Sequence, residues 1–332
     1  MTPRHAVLES GDNETFWGLI MGVGVGLGIA EFPFAAAKGF WDWVELCEEG
    51  GVDSIWQIDR MVSREPFLEC MSAMAAIAGR TRKIKFGMNV ASVGLRDPLL
   101  LAKECATIDF LSDGRLLPAF GIGNNAAPVW KATGRPTKRR GVRTNEALEL
   151  ISRLWKEDCV TFEGEFYQYF EACISPKPVQ KKIPFWLGGS SEAAIRRTAK
   201  YGTGWLAGLE TPQIVGPVIE GIKKAAADAG RPIDADHFGA AFPFRFGDGE
   251  DDATRRQIEV FEKRTKRNAK DYFAIGGTDD VIAKLREFVE AGAYKFVLRP
   301  IGNSDAEMVE HTRLLIDEVL PAVYADGFAS AA

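Results

Sequence analysis

The run Trp186–Ser191, Trp-Leu-Gly-Gly-Ser-Ser, carries the clearest chemistry in the chain. An apolar segment ends in Gly188 and Gly189, and Ser190, Ser191 and Glu192 open a helical one. Glycine lets a backbone approach a ligand closely, and the first amides of a helix lack intrahelical acceptors and attract phosphate. The same residues also suit a plain strand-to-helix turn with a serine cap, so the residues alone leave both readings open. Asp59 and Arg60 follow another apolar run. They read either as a proton-handling carboxylate beside a cation or as a local ion pair, and an arginine cannot serve as general base near neutral pH. Arg139, Arg140 and Arg143 cluster before a helical segment, where they could hold a phosphate or an acidic substrate, or pair with nearby acids on a solvated face. Arg299 ends the apolar run Lys295–Arg299. Other chemistries are disfavoured. The glycines at 22, 24, 26 and 28 make no dinucleotide fingerprint, because Leu27 and Ile29 stand where its third glycine belongs. His5, His237 and His311 are too scattered for a multi-histidine metal site, and no metal is expected. The five cysteines (47, 70, 105, 159 and 173) contain no Cys-x-x-Cys pair and are odd in number, so buried thiols in a reducing, cytoplasmic setting are expected.

The elements that must position these residues alternate. Apolar strand-like runs at 52–58, 84–91, 115–121, 183–187, 204–207, 238–246 and 295–299 are separated by segments of helical period. Asp97-Pro98 and Thr211-Pro212 read as helix starts, and Thr278 as a cap. Pro118 weakens the strand at 115–121. With an N-terminal run this gives eight strand–helix units, which fit a (β/α)8 TIM barrel as one domain over residues 1–332, although periodicity also admits an open doubly wound sheet. Two insertions interrupt it: about 159–182, a hairpin with a Pro-rich arm, and about 247–275, a charged mobile loop plus helix of the kind that forms lids. With 332 residues, 46% of them hydrophobic and 26% charged, the composition is that of a globular protein. A net charge of −5 argues against a nucleic-acid partner. The stretch 16–37 holds only Glu31 as a charge, yet its alternating glycines, Pro33 and the acidic run before it argue against a membrane span or a signal peptide.

Several segments resemble the bacterial-luciferase-like flavin oxidoreductases. These are 54–60 (SIWQIDR), 107–123 (TIDFLSDGRLLPAFGIG), 176–189 (PKPVQKKIPFWLGG) with 201–206 (YGTGWL), and the Gly-Gly-Thr, helix, Ala-Gly and strand pattern of 273–299. The resemblance covers most of the chain between 50 and 300. It implies a luciferase-like TIM barrel, usually a homodimer, with a dissociable flavin at its C-terminal mouth, either FMN or the deazaflavin F420. It places the flavin phosphate at Gly188, Gly189 and Ser190, beside Ser191, and a non-proline cis peptide at Asn89–Val90 near the ring. Arg60 stands where many F420 relatives have histidine, and Asn124 where some have glutamate; Asn125 beside it would cap the loop. Arg299 at the eighth strand points to the mouth, and Trp17, Trp56, Trp130 and Phe32 are candidates for the pocket wall. The expected activity is that of a monooxygenase using reduced FMN and O2 through a C4a-peroxyflavin to oxygenate a small organic substrate, with a separate flavin reductase. The alternatives are an F420-dependent oxidoreductase that moves a hydride, with Asp59 handling a proton, and a non-catalytic flavin-binding protein.

Overall fold

The computed structural model describes residues 22–325; His5, Trp17 and the first part of the N-terminal apolar run lie outside the described residues. In chain order, β1 (Gly24–Ile29) leads to α1 (Ala37–Glu49) and β2 (Ser54–Gln57) to α2 (Cys70–Arg80). Then come β3 (Lys85–Met88), β4 (Ala91–Ser92), α3 (Pro98–Leu111), β5 (Leu116–Leu117) and β6 (Ala119–Gly121). Two helices follow, α4 (Pro128–Ala132) and α5 (Arg140–Lys156), and then the hairpin β7 (Cys159–Glu163) and β8 (Gln168–Cys173). The second half runs β9 (Trp186–Gly188), α6 (Glu192–Tyr201), β10 (Gly204–Leu206), α7 (Pro212–Asp228), β11 (Phe238–Phe246) and α8 (Asp252–Thr265). It closes with β12 (Ala274–Gly276), α9 (Thr278–Glu290), β13 (Lys295–Pro300), α10 (Asp305–Leu314) and α11 (Leu320–Ala325).

Parallel pairing runs from β13 through β1, β2 and β3 to β5, and from β4 through β6, β9, β10 and β11 back to β13. Because β3 and β4 are one strand interrupted at Asn89–Val90, and β5 and β6 one strand interrupted at Pro118, the ring of eight closes. This is the expected TIM barrel, and the open sheet is set aside. Proline lacks an N–H, so the strand breaks at Pro118, yet its carbonyl still accepts the Trp186 amide at 3.0 Å. Side chains alternate across the strands. Trp56, Leu117, Ala119, Trp186, Leu206, Ala241 and Val297 fill the barrel, while neighbours such as Ile55, Leu187, Trp205 and Phe296 face the helices. The larger aliphatic side chains among them, such as Leu206 and Val297, each stabilise the fold by about 1.5–3 kcal/mol on burial.

The helix starts follow local chemistry. The Asp97 carboxylate accepts the Leu99 and Leu100 amides at 2.9 and 3.1 Å ahead of Pro98. At α9 the cap is Gly277 rather than Thr278: the Asp280 carboxylate accepts the Gly277 amide at 2.7 Å, and Thr278 is the first helical residue. Segment 159–182 is the expected hairpin and arm. It corrects the cysteine reading, because Cys159 and Cys173 form a disulfide. The antiparallel register sets them directly opposite, with Cα atoms 4.2 Å apart. Cys47, Cys70 and Cys105 are buried thiols as expected. Segment 247–275 forms α8, a short 3-10 turn and β12, which pairs with β11. Arg245 ties α8 down: it contacts Asp251 at 3.1 Å and Glu307 at 2.9 Å, and donates to the Ile301 carbonyl at 2.7 Å. Among the described residues no helix is long and apolar enough to cross a membrane.

Candidate functional site

Two groups of residues lie at the C-terminal ends of the strands. The first surrounds the end of β9. Gly189 has φ of 107°, a conformation that side chains resist, and its carbonyl accepts the Trp205 indole N–H at 2.8 Å. Ser191 caps α6, its hydroxyl accepting the Ala194 amide at 3.3 Å. Among the described residues the amides of Ser190, Ser191, Glu192 and Ala193 meet no acceptor, so four donors stand at the positive end of a ten-residue helix. The Asn89–Val90 peptide is cis. The Val90 side chain lies across the ends of two strands: a Cβ on Gly188 would meet its Cγ2 at 3.3 Å, and one on Gly121 would meet it at 2.8 Å. Asn89 is anchored through its amide to the Gln57 carbonyl at 2.9 Å, while its buried Nδ2 has no partner among the described residues. The fold thus brings Asn89, Val90 and Gly188–Ser191 together. Free amides, a glycine-lined approach and an orphaned buried donor suit a phosphate-bearing planar cofactor.

The second group lines a cavity of about 500 Å³ between the ends of β1, β2 and β13 and the underside of α8. Arg60, Arg299 and Phe32, all anticipated from the sequence, line it. Gly28 makes room: a side chain there would meet Val297 at 2.7 Å and the Arg299 stem at 3.5 Å. Arg60 stacks over the Phe67 ring, 4.6 Å from its centroid. Glu31 also faces the cavity. Burial pushes its carboxyl up, with Arg256 opposing and a hydrogen bond to Glu65 reinforcing the rise.

Asp59 does not pair with Arg60. Its carboxylate takes two hydrogen bonds from Arg96, at 2.8 and 2.9 Å, and one from the Ser92 amide at 2.8 Å. Sequence reasoning missed this partner, which strand pairing brings in from 37 residues away. Arg96 also reaches Glu69 at 2.8 Å and the Cys70 sulfur at 3.2 Å. The ligand atoms of Asp59, Glu69 and Cys70 lie within 4.8 Å of one another, but the guanidinium among them already supplies the cation. Burial works against the Glu69 charge, yet the Ser72 amide and Arg96 outweigh it and hold its pKa at about 2.

The other anticipated residues lie apart from these groups. Asn124, rather than Asn125, caps its loop, accepting the Ala126 amide at 2.9 Å; Asn125 accepts from Arg140. Arg139 pairs with Glu165, and Arg143 stacks on Phe166. Trp56 fills the barrel interior, and Trp130 packs in a small cluster with Leu95 and Val129. In the cavity, the residues that sequence reasoning passed over are Glu31, Glu65, Arg256 and Arg264. The signal for Glu31 was a lone charge closing an apolar run. The α8 arginines carried none of their own, because the charged segment 247–275 reads as a lid without singling out any of its residues.

A family model described as luciferase-like monooxygenase matches residues 23–295. The F420-dependent glucose-6-phosphate dehydrogenase of Amycolatopsis mediterranei is 26% identical over 320 residues, covering 86% of this chain and 94% of the relative. An F420-dependent secondary alcohol dehydrogenase in complex with an F420-acetone adduct superposes with a TM-score of 0.76 at 18% identity, covering 91% of this chain and 99% of that one. The oxygenating constituent of 3,6-diketocamphane monooxygenase from Pseudomonas putida, in complex with FMN, gives 0.73 at 17% identity, covering 90% and 98%. This chain spans 57% of the length of an uncharacterised Mycobacterium tuberculosis protein that it matches at 31% identity over half of its own length.

Proposed function

Because this chain belongs to the family of luciferase-like monooxygenases, we propose that it is an F420-dependent oxidoreductase acting on a small organic substrate. The observation that carries the reading is the placement of four unspent amides at the start of α6 against the glycines of β9 and the Asn89–Val90 corner. Relatives that align over most of both chains are F420-dependent by name, which supports this choice over FMN. The amides of Ser190 to Ala193 would hold the cofactor's phosphate, Gly188 and Gly189 would let it approach, and Asn89 Nδ2 would donate to the ring system. The deazaflavin, when bound, supplies a carbon centre that gives or takes a hydride. Glu31, with its raised pKa, is placed to hold or release a proton at a carboxyl oxygen in the cavity. Asp59, committed to Arg96 and Ser92, is a positioning residue that steadies β4.

A second reading is supported by departures from the family pattern. By the family resemblance, Arg60 stands where many F420 relatives have histidine and Asn124 where some have glutamate, and this favours a monooxygenase that uses reduced FMN and O2 with a separate reductase. Parallel titration of the purified chain with F420 and with reduced FMN decides between them. Tighter F420 binding, with F420-dependent reduction or oxidation of a carbonyl or alcohol panel, is the expected result. Binding of reduced FMN alone overturns it in favour of the second reading.

A further inference from the structure

The hairpin β7–β8 stands outside the barrel ring, yet its tip braces a helix that packs beside the α6 amides. Between 131 and 143 lie six Lys and Arg residues and no acid. Arg139, Arg140 and Arg143 of this run stand at the start of α5, the positive end of the helix, where cations are unfavourable. Among the described residues that start has no side-chain cap. The counter-charge comes from the hairpin tip. Glu165 pairs with Arg139, and the Phe166 ring receives the Arg143 guanidinium at 4.9 Å from its centroid. The Glu146 carboxylate of α5 accepts the Glu165 and Phe166 amides at 3.0 and 2.8 Å. The other side of the same turns meets the cofactor site. Arg197 of α6 donates to Asn145 Oδ1 at 2.7 Å, and Arg140 donates to the Gly123 carbonyl beyond β6 at 3.2 Å.

A two-stranded hairpin is marginally stable by itself in water. This one also has a register shift between Val160 and Phe162, and near it Glu171 holds φ of 45°, a conformation that side chains resist. Cys159 and Cys173 sit directly opposite each other at its open end, both exposed, and their disulfide closes it. Cys47, Cys70 and Cys105 are buried, so a thiol reagent in solution meets only the hairpin pair among the described residues.

We propose that Cys159–Cys173 is a thiol–disulfide exchange site, and that its reduction by a dithiol weakens the hold of α6 on the cofactor; this inference rests on the reading of the α6 amides given above. A thiolate of the dithiol attacks one of the two sulfurs, the Cys159–Cys173 bond breaks, and the other cysteine leaves as a thiolate that takes up a proton. The second thiolate of the dithiol then attacks the mixed disulfide and releases the remaining cysteine. Two electrons and two protons pass to the chain, and the reductant departs as its own disulfide. Without the cross-link the open form of the hairpin gains conformational freedom. Glu165 then leaves Arg139 more often, and the cations at the start of α5 lose their counter-charge. The turns that position Arg197 of α6 and the Gly123 carbonyl loosen with it. By linkage, bound cofactor protects the disulfide from the dithiol by the same factor.

Treatment of the folded full chain with dithiothreitol tests the proposal. Alkylation read by mass spectrometry, backbone hydrogen exchange and titration with F420 and with reduced FMN are compared before and after reduction. Cys159 and Cys173 are expected to become alkylated while Cys47, Cys70 and Cys105 stay protected. Exchange should rise at Glu165, Phe166 and the first turns of α5, and the cofactor should bind about tenfold more weakly. The double variant Cys159→Ser, Cys173→Ser should bind cofactor as the reduced chain does and should not respond to dithiothreitol. A disulfide that survives dithiothreitol in the folded chain overturns the proposal. So does reduction that leaves the affinity of a cofactor-binding chain unmoved, or a double variant that still responds to the reductant. Faster exchange at α5 on reduction, in a chain that takes neither F420 nor FMN, supports the exchange site and sinks only the oxidoreductase reading.

Discussion

Replacing Arg96 with methionine tests whether Asp59 serves as a clamp. The Asp59 carboxylate is 1% exposed and the Arg96 side chain 8% exposed, so water compensates neither. In Arg96→Met, Asp59 keeps the Ser92 amide and the weak Cys70 thiol donor, and a buried charge has lost its cationic partner. That places the loss at about 3–5 kcal/mol. Glu69, 41% exposed, rehydrates and adds little. Asp59→Asn removes the charge instead and leaves Arg96 its bond to Glu69, at a cost of about 1–3 kcal/mol. The double variant has no uncompensated carboxylate, so its loss should fall short of the two single losses combined. Urea unfolding followed by tryptophan fluorescence measures all three. A loss below about 1 kcal/mol for Arg96→Met, or strict additivity in the double variant, would refute the clamp. A clamp also predicts that Asp59→Asn lowers turnover without moving its pH profile, whereas a proton-handling Asp59 would move it.

Two further outcomes follow from groups away from the mouth. His311 is 4% exposed with both ring nitrogens unpartnered among the described residues, and burial, then Arg245, lowers its pKa below the ordinary 6.5. The unfolded chain therefore binds the proton more readily, so this contribution to stability is complete above pH 6.5 and is lost as the pH falls toward the folded value. His311→Phe should flatten that part of the stability–pH curve in thermal melts; an unchanged slope would show that His311 does not cause it. The Cys159–Cys173 disulfide closes a loop of 14 residues in sequence separation on the hairpin outside the barrel ring. The double serine variant should lose up to about 3 kcal/mol and remain folded, as read by melts with and without reductant. Global unfolding at room temperature would contradict the peripheral role.

What the sequence disclosed was local. Gly188–Ser191 was legible because a glycine pair followed by a serine cap is written within six residues. The barrel was legible because strand and helix periods alternate, and Asp97-Pro98 because a cap acts on its nearest amides. The cis peptide at Asn89–Val90 came from the family resemblance, since neither residue type signals it. Partners set by topology were hidden. Arg96 meets Asp59 only because β2 and β4 deliver the two chain segments to one place. Cys159 and Cys173 become neighbours only in the register of β7 and β8. Arg264 turns toward the cavity only once α8 is laid across the mouth, and before that its charge is like any other on an exposed helix.

The most direct test of the account is the cofactor affinity of Gly189→Val. At φ of 107° a branched side chain is strained and must shift the backbone whose amides receive the phosphate, while the site lies on the surface, away from the core. The account predicts a folded protein that has lost most of its affinity for F420 or FMN. A folded variant that binds its cofactor as tightly as the unmodified chain would contradict it.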